Sequence, residues 1–354
     1  MPTPRALAAS LLLAVAAAGP APAQERSDFR IAWSIYVGWM PWGHIADTGI
    51  MDRWAERYGI TVEIVQINDY IESINQFTAG AFDGVTATNM DTLSIPAGAG
   101  IDTTALIVGD FSDGNDAIIR KGEGDVASLA GERVHLVELS VSHYLLARAL
   151  DSVGLREADL AGVVNTSDAD MIAAFQTPDV TTVVTWNPLV ASILEEPDAN
   201  RIFDSSQIPG EIIDLLVVNT ETLRANPDFG RALVGAWYEM MAIMASDTPE
   251  GVAARTAMAE ASGTDLAGFE LQLASTRMFF DPAEAVAFAA SPELPATMTS
   301  VAEFLFEQGI LGEGAPSAEF VGIEYPDGTI TGDPGNLRFR FDTSFMQMAA
   351  DGDL

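Results

Sequence analysis

VHLVELSVSHYLLARALDSVGLREADLAGVVN, residues 134–165, carries one full cycle of the alternation that decides the fold. Residues 134–138 are rich in apolar and β-branched side chains and predict a strand. From 141 to 153 the period changes: Val141, Tyr144, Leu145, Ala149 and Val153 fall on one helical stripe, and Gly154 supplies the stop. Residues 162–165 (GVVN) then begin another strand. The same cycle runs upstream, with strands expected at 29–33 (FRIAW), 61–67 (TVEIVQI), 84–88, 103–108 and 117–120. A loop at 34–42, a helix from there to Tyr58 capped by Gly59, and a helix at 70–78 lie between them. Downstream come a helix at 168–176 and a strand at 180–185. This pattern predicts an α/β fold of parallel sheets covered by helices, with ligands taken at the carboxyl ends of strands.

Past the apolar run 212–218 the texture changes. Residues 220–312 predict consecutive helices with no strand among them, with Pro227, Pro249, Pro282 and Pro292 near helix starts. The last forty residues are rich in glycine and proline, with a short strand expected at 337–341.

The first 23 residues predict a cleaved export signal: Arg5, an apolar run at 6–18, and Ala21-Pro22-Ala23 before Gln24. The run is too short to span a bilayer, which needs about 20 residues. With no cysteine in the chain, neither a lipid anchor nor disulfides are expected. The remaining length suits two ordinary domains. Against 51 acidic residues stand 17 basic ones, of which only Lys121 is a lysine; the net charge of −34 argues against nucleic acid and anionic membranes as partners. Solvation of the whole surface explains most of that charge, so it names no ligand.

Several motifs in order resemble the nitrate/taurine/sulfonate type of periplasmic binding proteins. They are Gly80-Ala81-Phe82-Asp83, Ala97-Gly98-Ala99-Gly100, DVASLAGERV at 125–134, SVSHYLLARALDSVGL at 140–155 and VTTVVTWNP at 180–188. Within that family, Gly38-Trp39-Met40-Pro41-Trp42, Thr88-Asn89-Met90-Asp91, Thr185-Trp186-Asn187-Pro188 and the run PGEIID at 209–214 resemble the binding proteins linked to urea carboxylase, whose implied solutes are urea or guanidine-like compounds. The resemblance implies a two-lobed, type II periplasmic binding protein fold. Residues 24–115 and 215–354 would form one lobe and 116–214 the other, with hinge crossings near 110–119 and 212–219. It further implies the periplasmic, non-enzymatic capture component of an ABC importer: a monomer with no cofactor, whose partners are a small solute and an inner-membrane permease.

Six segments at the expected strand ends, 33–47, 86–98, 110–117, 138–147, 184–192 and 204–219, contain no lysine or arginine. An anion such as a sulfonate is normally met by a cationic side chain, because an unpaired buried charge is costly. The same segments hold Asp47, Asp91, Asp110, Asp113, Asp116, Glu138, Glu211 and Asp214 and favour a cationic or donor-rich ligand. Trp39 and Trp42 either sandwich a flat ligand or pack one ring into the core. Trp186 with Asn187 either covers the ligand or packs on the sheet. Asn89 and Asp91 serve as helix cap or ligand partner. Glu138 accepts from the ligand while Ser140 caps or hydrogen-bonds. Asp214, an acid within an apolar run, reads as functional or as a hinge hydrogen bond, and Asp116 follows the same logic.

Enzyme signatures are missing from the sequence. The histidines His44, His135 and His143 form no metal or catalytic spacing, and there is no cysteine nucleophile, G-x-S-x-G elbow, phosphate loop or dinucleotide fingerprint. His143, on its helix, reads as a hydrogen-bonded structural residue. The family also includes a thiamin-precursor binder and a related catalytic branch. A sulfonate, taurine, nitrate or thiamin-precursor ligand, or a secreted enzyme on the same scaffold, therefore remain as alternatives.

Overall fold

The computed structural model describes residues 26–311 and 314–354; the expected signal segment lies outside them. Among the described residues fourteen strands form two sheets. In chain order they are β1 (Asp28–Trp33), β2 (Thr61–Gln66), β3 (Gly84–Thr88), β4 (Thr103–Ser112), β5 (Asp116–Lys121), β6 (Arg133–Leu136), β7 (Gly162–Asn165), β8 (Thr182–Trp186), β9 (Ala199–Asp204), β10 (Ile213–Asn219), β11 (Thr276–Met278), β12 (Gly322–Glu324), β13 (Ile330–Thr331) and β14 (Leu337–Phe341). The larger sheet has the order β13-β12-β14-β4-β10-β3-β1-β2, with β11 also on β4. The smaller has the order β7-β6-β8-β5-β9. The chain passes between them twice, from β4 into β5 and from β9 into β10.

Both sheets are mixed, where the alternation predicted parallel ones. The passages explain this: β10 enters the larger sheet from the far end and pairs antiparallel with β3 and β4, and β5 does the same between β8 and β9. The βαβ units on either side remain parallel, as in β1 with β2 and β6 with β7. β10 and β8 are buried along nearly their whole length, which accounts for their continuous apolar texture.

Two local expectations change. The helix expected through Tyr58 is two helices, Met40–Asp47 and Ile50–Arg57, and the first starts inside the expected loop because Pro41 sits in its first turn. Gly49, at φ +68, takes the left-handed conformation that ends one and starts the other. The helical stretch after 220 is broken by β11, three residues that owe their extended form to pairing with β4 and carry no strand periodicity of their own. The helix Val141–Ser152 stands where its stripe predicted.

Candidate functional site

The two sheets meet at their strand ends, and a small void lies between them. It is lined by Tyr36, Trp39, Tyr70, Thr88, Asp116, Val141, Trp186 and Asp214, and its volume of about 10 Å³ is that of a water-sized group. Strand register builds most of it. In the larger sheet Asp214 on β10 stands opposite Thr88 on β3 and Asp110 on β4, while in the smaller one Asp116 opens β5 opposite Trp186 at the end of β8.

The aromatic wall is a continuous chain of rings. Tyr36 meets Trp39 edge-on at 4.9 Å, Trp39 tilts against Tyr70 at 5.7 Å, and Tyr70 meets Trp186 edge-on at 5.5 Å. The wall spans both halves of the molecule, and hydrogen bonds close it. Trp186 Nε1 donates to Ile35 O at 3.2 Å, Val37 N to Asn187 O at 3.3 Å, and Ser167 Oγ to Asp69 Oδ2 at 3.0 Å.

Four buried aspartates cluster at the void, Asp116 and Asp214 on its wall with Asp91 and Asp110 behind them, and among the described residues no lysine, arginine or histidine lines it. Tyr36 Oη donates to Asp110 Oδ1 at 2.7 Å, and Asp116 Oδ2 accepts from Ser112 Oγ at 2.5 Å. Asp91 Oδ2 accepts from Tyr70 Oη at 2.7 Å, from Thr88 Oγ1 at 2.9 Å and, from the other half of the molecule, from Val141 N at 3.3 Å. Asp91 Oδ1, Asp110 Oδ2, Asp214 Oδ2 and Trp39 Nε1 have no partner among the described residues. Gly38 makes this packing feasible, since a Cβ there would come within 2.5 Å of Asp110 Oδ2 and of the Tyr36 ring.

Such a cluster cannot be fully ionised. Two unit charges about 4 Å apart repel by roughly 4 kcal/mol at an effective dielectric of ~20, and burial penalises each charge further. Burial pushes Asp116 up to about 7, against the hydrogen bond from Ser112, and Asp91 up to about 6, against those from Tyr70, Thr88 and Val141. Burial also raises Asp110 and Asp214, and their mutual repulsion with Asp116 keeps Asp214 well above the ordinary carboxylate range.

The structure brings together Trp39, Asp91, Asp116, Trp186 and Asp214 from the residues singled out in the sequence. It separates the rest. Trp42 is in the core, stacked on Trp237 at 5.0 Å, because the helix starting at Met40 turns it away from Trp39; the two tryptophans form no sandwich. Asn89 is spent on the second passage between the sheets, donating to Glu211 O at 3.1 Å and accepting from Ile213 N at 3.0 Å. Glu138 is exposed on a turn where Leu139 adopts φ +62. Ser140 caps the following helix by accepting from Ser142 N at 3.2 Å. Asn187 lies beside the void, accepting from Ala191 N at 3.0 Å and donating to Ser275 Oγ at 3.3 Å. His143 pairs with Glu157 at 2.7 Å.

Tyr36, Tyr70, Thr88 and Val141 were not anticipated. Tyr36 follows β1 by three residues and was legible from that position; Tyr70 starts a helix and reaches the void only through tertiary packing. Asp110 stood among the strand-end acids with nothing local to set it apart.

Residues 32–261 match the model of the NMT1-like family. A taurine-binding periplasmic protein of Escherichia coli (strain K12) is 25% identical over 130 residues, a match spanning 36% of this chain and 40% of that protein. The alkanesulfonate-binding protein SsuA from Xanthomonas axonopodis pv. citri superposes with a TM-score of 0.65 at 17% identity, covering 82% of this chain and 96% of that one. The periplasmic nitrate-binding protein NrtA from Synechocystis PCC 6803 does so at 0.57 and 12%, covering 92% and 98%. At these identities the likeness is one of fold: two α/β lobes of the periplasmic binding protein type. With well over half of its length matched by the family model, the chain belongs to the NMT1-like family.

Proposed function

We propose that this protein is the solute-binding component of an ABC importer, exported to the periplasm, which closes two lobes around a small nitrogen compound of the guanidinium or urea kind. The lobes are residues 24–115 with 215–354 and residues 116–214, and the crossings near 110–119 and 212–219 act as the hinge. In this reading the protein is a monomer that delivers its solute unchanged to an inner-membrane permease, and it belongs to the urea-carboxylase-associated branch of its relatives.

The observation that carries this reading is a void walled by aromatic rings and buried carboxyls with no cationic side chain on it. Trp39 and Trp186 put aromatic rings beside a flat donor-rich group, and Asp116 and Asp214 offer acceptors for its N–H groups.

A second reading follows from the relatives, one of which binds taurine and another alkanesulfonate by name. A sulfonate at this site would have to face Asp116 and Asp214 without a counter-charge, which sets it behind the first reading.

Mass spectrometry of the compound released on denaturing freshly purified protein, after growth with labelled guanidine, urea and taurine, tests the proposal. Recovery of unchanged guanidine or urea is expected. Recovery of taurine or another sulfonate would overturn the ligand assignment, and recovery of a chemically altered product would point to an enzyme.

A further inference from the structure

We infer that the Asp110 and Asp214 pair, with Tyr36 and Asp116, is a proton-exchanging cation site: the solute is an organic cation that enters as a proton leaves, and a neutral isostere is held less well. This rests on the proposed nitrogen-compound reading and decides between its two kinds of solute.

The argument begins from geometry. Asp110 and Asp214 occupy paired positions on adjacent strands, both almost completely buried. Tyr36 Oη donates to Asp110 Oδ1 from the loop after β1. Asp110 Oδ2 and Asp214 Oδ2 are left with no donor among the described residues, and Asp214 lines the void itself. Two carboxyls so placed share one proton or lose it to a cation, because ionising both without a counter-charge is unfavourable.

Among the described residues, the groups facing the pair from other elements add no positive charge. Asp116 faces it from β5, and Tyr36 presents a phenol held neutral by burial and by the nearby carboxylates, while Asp91, on the helix after β3, bears on Asp116. The cluster therefore carries bound protons while it is free of a cation.

A planar cation entering beside Trp39 and Trp186 supplies the missing charge. Its N–H groups donate to Asp214 and Asp116, the carboxyls that line the void, one carboxyl O–H releases its proton to buffer, and the resulting carboxylate is paired by the cation. No bond other than O–H breaks. The ring faces add attraction specific to a cation. A neutral urea offers the same shape and four N–H donors but no charge, so it displaces no proton.

Calorimetry of the mature protein with guanidinium chloride and with urea, at pH 5 to 8 in buffers of different ionisation enthalpy, tests the inference. Guanidinium keeps its charge across that range, so any proton exchanged comes from the protein. The expected result is an enthalpy for guanidinium that changes with the buffer in the sense of proton release. Its Kd should fall tenfold or more from pH 5 to pH 8, as linkage requires for about one displaced proton. Urea should bind more weakly at pH 8, with a Kd nearly independent of pH. The variant Asp110→Asn, checked for a native melting transition, should flatten the guanidinium profile. Guanidinium binding with no buffer dependence and a constant Kd would overturn the inference and leave the nitrogen-compound reading standing, as would tight binding of urea with none of guanidinium. Binding of taurine with neither of the two would overturn both.

Discussion

Asp214 and Asp110 stand opposite one another on β10 and β4, and the same Asp214 stands opposite Thr88 on β3. β10 is the strand by which the chain returns from the smaller sheet, so the acid in its apolar run is carried to the junction of the lobes by the passage itself. The candidate site thus draws on the strand that follows the second passage between the sheets.

Replacing Asp214 by Asn keeps the shape and removes the charge. Guanidinium affinity is expected to fall tenfold or more, equivalent to about 1.4 kcal/mol. The ligand-free variant should melt higher than the parent at pH 8, because a buried ionisable group is gone. Calorimetry and thermal melts check the two halves; unchanged affinity would remove Asp214 from the site.

The ligand-free protein should lose stability as pH rises. A carboxyl whose folded pKa lies above its unfolded value of about 3.9 holds a proton in the folded state that the unfolded chain gives up. Its contribution is complete below pH ~4 and is lost as pH climbs through the folded value, which is about 6 for Asp91 and about 7 for Asp116. Melting temperature should therefore fall by several degrees from pH 5 to pH 8, and guanidinium should restore more of it at pH 8 than at pH 5. A melting temperature that rises over this interval contradicts the buried-proton account.

Trp39 and Trp42 should behave differently although they are three residues apart. Trp42→Ala opens a large hole beside Trp237 and should cost about 3–5 kcal/mol of stability, while Trp42→Phe leaves the affinity of the folded protein unchanged. Trp39→Ala should weaken guanidinium by about 0.5–2 kcal/mol, the worth of one cation–π contact. Denaturant melts and calorimetry on the three variants separate the roles.

Asn89→Ala removes the two hydrogen bonds from Asn89 to the second passage, leaving Glu211 O and Ile213 N without that partner. Stability should fall by about 1–3 kcal/mol, and the order of preference among guanidinium, urea and taurine should not change. A changed order would restore Asn89 to the ligand site.

The sequence was most legible where local pattern and burial agree. The stripe Val141, Tyr144, Leu145 and Ala149 is buried on its helix as the period required, although Val153, expected to close it, lies just past the helix end and is exposed, and the apolar run ending in Val218 forms a buried strand. Absence of cations from the strand ends was legible too, and the structure gathers Asp91, Asp116 and Asp214 from those segments around one void. What local pattern could not carry was direction. Trp39 and Trp42 look alike in sequence, and only the helix that begins at Met40 turns one to the void and the other to the core. Asn89 looked like a ligand partner or a cap because nothing near it in sequence reveals Glu211 and Ile213, more than a hundred residues later. The antiparallel sense of β5 and β10 was equally hidden, because it depends on where the chain re-enters a sheet.

A crystal structure of the protein with guanidinium tests the central claim most directly. The account predicts a planar cation between Trp39 and Trp186, its N–H groups donating to Asp116 and Asp214, with the lobes closed by the Trp186 and Asn187 contacts. A sulfonate retained at that place on main-chain amides, with both carboxyls turned away, would contradict it.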